Sequence, residues 1–130
     1  MTTRILNFSD GFSSVSPPVG SDLPSVSIRT LQTITESGTI EMFADNSQLF
    51  KLAGSGGPVI CSLTPFDSNA NNGALIILQG TSDTNTVEIK HNDAQYGCVL
   101  NGDAILGEYD KLTLTYDSSI ERYVESSRNF

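Results

Sequence analysis

Leu112-Thr113-Leu114-Thr115-Tyr116-Asp117-Ser118-Ser119-Ile120-Glu121-Arg122-Tyr123-Val124-Glu125-Ser126-Ser127-Arg128 is the stretch that decides the fold. Leu112, Leu114 and Tyr116 alternate with polar residues, the period of two that puts one face of a strand into a core. Asp117-Ser118-Ser119 carries side chains that hydrogen-bond the backbone and bend it, and a second short strand then runs to Arg128. Two strands joined by so short a polar turn are a hairpin by local chemistry alone.

Outward from that hairpin the same grammar repeats. From Val26 the chain reads as short strands broken every 8–12 residues, which predicts an all-β fold, a compact β-sandwich or barrel of jelly-roll type. The expected strands are Val26–Ile34, Thr39–Phe43, Gln48–Ala53, Val59–Leu63, Ala74–Gln79, Thr86–Lys90, Gly97–Leu100, Leu112–Tyr116 and Arg122–Glu125. Gly54-Ser55-Gly56-Gly57-Pro58 is a flexible loop closed by a proline, Asp83-Thr84-Asn85 and Asn92-Asp93 are turn formers, and Asn101-Gly102 is a hairpin signal. No window sustains the apolar stripe of a helix. Ala74-Leu75-Ile76-Ile77-Leu78 is apolar on both faces, so it belongs in the middle of a sheet. Its second face then needs a cover, and a domain this small has one core. Leu75, Ile76, Ile77 and Leu78 are therefore the expected oligomer interface.

The first 25 residues differ in kind from the β domain expected over residues 26–130. Three of the five prolines fall at Pro17, Pro18 and Pro24, no period holds, and the segment reads as an extended arm. Ile5, Leu6, Phe8, Phe12, Val15, Val19 and Leu23 nevertheless make it more apolar than a solvated linker. These side chains need a surface, either their own domain or another subunit.

The net charge is −8, and all of it belongs to residues 31–130, since Arg4 and Arg29 balance Asp10 and Asp22. An acidic body with singly scattered lysines repels phosphates, so no nucleic-acid partner is expected. No apolar run approaches the length of a membrane span, and no apolar segment of a secretory leader follows Met1. Cys61 and Cys98 sit in the apolar runs VICSL and YGCVL and are expected as buried free thiols of a reducing compartment, with a disulfide between them as the alternative because both fall in strands that could be neighbours.

Tyr123, Glu125 and Arg128 in the last strand, after the Tyr116-Asp117 turn, carry a resemblance. The pattern over residues 73–128 resembles the ending of small β-rich structural proteins of tailed bacteriophages, in which a Gly-rich, short-stranded module closes on an aromatic-x-Glu-x-x-Arg strand. The resemblance implies a virion protein made in the host cytoplasm, a homotrimer that cements a head by sitting on the major capsid protein, with the arm residues Ile5, Leu6, Phe8, Phe12, Val15, Val19 and Leu23 as capsid contacts. A trimeric fibre or receptor-binding module that recognises a host glycan is the alternative it leaves open.

Chemistry is expected nowhere. Asp67-Ser68-Asn69-Ala70-Asn71-Asn72-Gly73 places oxygen donors at alternate positions, as a calcium loop does, but its glycine comes one residue late and Leu78 stands where the bidentate Glu belongs. A plain Asn-rich turn is expected there, with no metal or other cofactor. His91 is the sole histidine, and no Gly-x-Ser-x-Gly elbow accompanies it, so a triad has no support. Glu108 with Asp110, or Glu121 with Glu125, could form a carboxylate pair, yet nothing selects either. Tyr96, Tyr109, Tyr116 and Tyr123 are the candidates for a sugar platform in a chain without Trp.

Overall fold

Parallel pairing between strands that follow one another at a distance sets the architecture. The computed structural model describes residues 25–43 and 46–130. Ten strands occur there: β1 (Ser27–Ile28), β2 (Gln32–Ile34), β3 (Gln48–Gly54), β4 (Val59–Ile60), β5 (Leu75–Gly80), β6 (Val87–Ile89), β7 (Cys98–Val99), β8 (Ala104–Leu106), β9 (Lys111–Asp117) and β10 (Arg122–Arg128). No helix is present among the described residues. The larger sheet has the order β1-β3-β5-β9-β10-β7, with β2 also on the edge of β3, and the smaller sheet is β4-β6-β8. From β3 to β9 the chain crosses between the two sheets at every step, so the product is a two-layer β-sandwich wound largely as a coil. β1, β2 and β5 run parallel to β3, and β4 runs parallel to β6. A jelly roll is built from antiparallel keys, and this connectivity differs from it.

The core lies between the sheets and follows the alternation of each strand. Phe50, Leu52, Ile76, Leu78, Leu112 and Leu114 from the larger sheet meet Val87, Ile89, Ala104 and Leu106 from the smaller one, all essentially inaccessible to water. Each such large side chain stabilises the fold by about 1.5–3 kcal/mol relative to exposure. Glycine permits the sharp corners between layers. A Cβ on Gly80 would lie 2.1 Å from the Gly107 carbonyl oxygen, and one on Gly54 would lie 2.1 Å from that of Gly57. Neither position accepts a side chain without moving backbone.

The C-terminal hairpin forms as its sequence predicts. β9 and β10 pair antiparallel with Tyr116 opposite Tyr123, and a bulge falls between Glu125 and Ser127. Tyr123 is fully buried, its ring 4.7 Å from Tyr116 and 4.5 Å from Phe66.

Elsewhere four expectations are revised. The strand expected at Val26–Ile34 is broken into β1 and β2. The one expected at Thr39–Phe43 shrinks to a single bridge between Ile40 and Phe66. Side chains do the pairing there: Gln32 bonds both the N–H and the C=O of Glu41, and Asp67 accepts the Met42 N–H. Ala104–Leu106 is a strand that the turn-rich sequence around it conceals. Asn101-Gly102 joins β7 to β8, which lie in different sheets, so it is a corner and not a hairpin turn.

Candidate assembly surface

The apolar character of Leu75–Leu78 divides between two faces of one central strand. β5 lies between β3 and β9. Ile76 and Leu78 point into the core and are wholly buried there, while Leu75 and Ile77 are only half-buried and face outward. Of the four residues expected at an interface, two are thus consumed by the protomer's own core. The ladder register fixes the outward neighbours. Ile28 stands beside Leu49, Leu49 beside Ile77, and Ile77 beside Thr113. One row over, Leu75 stands beside Thr115, Thr115 beside Val124, and Val124 beside Val99. The outer face of the larger sheet is therefore an apolar surface with threonines between its aliphatic side chains.

Ile28 is 68% exposed and marks the edge of this surface. At one end the face finishes in Lys51, Gln79 and Lys111, which sit side by side in register. At the opposite edge a cleft of about 400 Å³ opens along Val99, Leu100, Asn101, Val124, Glu125 and Ser126. Glu125 in its lining is held by an ion pair with Arg128. Arg128 Nε and Nη2 donate to Glu125 Oε2 and Oε1, each at 2.7 Å, in the bidentate geometry that guanidinium and carboxylate favour. Glu125 Oε1 also accepts the Asn101 N–H at 2.8 Å, and Arg128 Nη2 donates to the Gly102 carbonyl at 2.9 Å. The Arg128 guanidinium, aided by that N–H, holds the Glu125 carboxyl below its ordinary range against the opposing effect of burial. The Glu-x-x-Arg spacing of the last strand is thus a clamp on the β7–β8 corner.

The Asp67–Gly73 loop is bound to the fold through the atoms that a cation would use. Asp67 Oδ1 accepts the Met42 N–H at 2.8 Å, and Asn72 Oδ1 accepts the Ser118 N–H at 2.9 Å. Among the described residues no group of three or more His, Cys, Asp or Glu gathers. His91 Nδ1 accepts the Leu100 N–H at 3.0 Å, which fixes its ring at the β6–β7 connection. Asp110 accepts the Gly107 N–H, and Glu121 receives Gln95 Nε2 and the Tyr96 hydroxyl. Of the four tyrosines, Tyr116 and Tyr123 belong to the core, Tyr96 is half-buried, and Tyr109 is 71% exposed with φ of 68° at the tip of the β8–β9 turn.

The expected arm contacts Ile5, Leu6, Phe8, Phe12, Val15, Val19 and Leu23 lie outside the described residues. Sequence reading missed Leu49, Val99 and Val124 as members of the outer face. The in–out alternation of QLFKLAG carried the signal for Leu49, whereas Val99 and Val124 join only through a parallel pairing that no local pattern encodes. No protein-family model, curated protein or solved structure matches this chain.

Proposed function

We propose that this chain is a structural protein of a tailed-phage virion, a head-decoration subunit that trimerises through the outer face of its larger sheet. The observation that carries this reading is the row Ile28, Leu49, Ile77 with Leu75 and Val124 beside it, an aliphatic surface on the outer face of the larger sheet in which Ile28 is exposed and the other four are half-buried in a single protomer. Contiguous apolar surface of this kind marks association sites on soluble proteins. Threefold closure and the capsid as partner come from the resemblance of the C-terminal hairpin. Residues 1–24 supply the capsid contacts in this reading, through Ile5, Leu6, Phe8 and Phe12. Each contributes about 1.5–3 kcal/mol if fully buried on a partner.

A second reading, a fibre or receptor-binding module for a host glycan, has one observation in its favour. Tyr109 is 71% exposed at the tip of the β8–β9 turn, next in sequence to the exposed Glu108, and an aromatic face open to solvent suits a sugar. Copy number separates the two. Quantitative mass spectrometry of purified particles is expected to find hundreds of copies, and a handful per particle would move the chain to a fibre. Removing residues 1–24 is expected to leave the described strands folded and to abolish binding to undecorated heads. A truncated protein that still decorates heads normally would remove the arm from the mechanism.

A further inference from the structure

Two Asn-Gly pairs occur in this chain, Asn72-Gly73 and Asn101-Gly102, and both glycines have positive φ, 83° and 89°. A Cβ at either glycine would meet nothing within 4 Å, so their surroundings are equally open. They differ in how their reacting groups are held. Gly73 N–H donates to the Tyr116 carbonyl at 2.7 Å, and the Asn72 side-chain oxygen is tied to the Ser118 N–H. At the other pair the exposed Asn101 side chain makes no hydrogen bond among the described residues, and neither does the Gly102 N–H.

We propose that Asn101 is a site of spontaneous deamidation in the folded protein, and that Asn72 is protected. The Gly102 nitrogen loses its proton to solvent base and attacks the Asn101 Cγ. A C–N bond forms, the C–N bond of the carboxamide breaks, and ammonia leaves with a proton from water. The resulting succinimide is opened by water at either carbonyl to give aspartate or isoaspartate. No redox partner is required. Attack at Asn72 needs the same nitrogen withdrawn from Tyr116 and the same carboxamide released from Ser118, both of which the closed loop resists.

The location gives the modification a consequence. Glu125 and Arg128 clamp the two sides of the reacting bond, one at the Asn101 N–H and the other at the Gly102 carbonyl. Isoaspartate inserts an extra methylene into the backbone between those two points, and either product adds a carboxylate beside Glu125. The clamp cannot keep both bonds across the longer backbone, so an ageing protein loosens the β7–β8 corner and the end of β10.

Tryptic mapping tests this directly, because Asn72 falls in the peptide 52–90 and Asn101 in the peptide 91–111. Full-length protein incubated at mildly alkaline pH is expected to deamidate in the peptide 91–111, at Asn101 by fragmentation, many-fold faster than at Asn72. In denaturant the two rates should converge. Isoaspartyl labelling should appear in the same peptide, and Asn101→Gln should abolish it. Hydrogen exchange of the aged protein should quicken at residues 100–103 and 125–128. Equal rates in the folded protein, or faster reaction at Asn72, would overturn the assignment of the site. A deamidated fraction with unchanged exchange would overturn the loosening of the clamp.

Discussion

The Tyr123 hydroxyl accepts the Ala70 N–H at 3.1 Å across 53 residues of sequence, tying the last strand to the loop that precedes β5. The same hydroxyl donates to the Ser68 carbonyl at 3.4 Å, and the ring is sandwiched by Phe66 and Tyr116. Burial pushes the phenol up to about 12, so it stays a neutral donor throughout the working pH range. One side chain thus closes the hydrophobic end of the sandwich and fixes the Asn-rich loop.

Removing the hydroxyl isolates its share. Tyr123→Phe keeps the packing and leaves the buried Ala70 N–H without a partner, which is expected to cost about 1–3 kcal/mol. Tyr123→Ala adds a cavity and should cost about 3–5 kcal/mol. Urea unfolding of both variants checks the order, and a Phe variant as stable as the wild type would show the bond to be dispensable.

The clamp at Glu125 makes a prediction in pH. Its carboxyl is depressed in the folded state, chiefly by Arg128, so below the ordinary carboxyl range the unfolded chain takes up this proton first. The contribution is complete above about pH 4.3, the value of a free Glu, and fades as pH falls through that value and beyond. Glu125→Gln is expected to lower stability at neutral pH by about 1 kcal/mol and to flatten the acid limb of the stability curve. An unchanged acid limb would show that the pair contributes no linkage.

Cys61 and Cys98 are buried free thiols, and burial raises both, Cys61 to about 12 with the Glu36 carboxylate adding to it. Only thiolate attacks, so alkylating reagents at pH 8 should find neither group until the fold opens. Stopped labelling during denaturant unfolding is expected to show both reacting together at the unfolding midpoint. Fast labelling of the native protein would contradict their burial.

What the sequence disclosed was local, and what it hid was pairing at a distance. Leu112, Leu114 and Tyr116 announced their burial by alternation, and Asp117-Ser118-Ser119 announced the hairpin of β9 and β10. Asp117 Oδ1 accepts bonds from both the Ser119 N–H and hydroxyl. Asn101-Gly102 carried an equally strong turn signal, yet the chain there passes to the other sheet, because a turn dipeptide fixes a bend and not the partner beyond it. Parallel neighbours such as Leu49 and Ile77 stand 28 residues apart and share no turn, so the outer face could be inferred at Leu75–Leu78 but not completed.

That face makes the sharpest test of association, since adjacent residues of one strand have opposite duties. Ile76→Ala deletes core packing and is expected to cost about 2–5 kcal/mol, with the oligomer lost only through the fold. Leu75→Lys with Ile77→Lys leaves the core untouched and places two charges where a partner's aliphatic face would lie, beside Thr113 and Thr115, which accept water readily. Wild-type protein should sediment as a homotrimer at micromolar concentration. The double variant should sediment as a monomer with a cooperative unfolding transition displaced by about 1 kcal/mol or less, roughly 0.5 kcal/mol for each of two substitutions outside the core. A double variant that remains trimeric would place the interface elsewhere, and a wild type that sediments as a monomer would leave the outer face of β5 without the partner for which its sequence is suited.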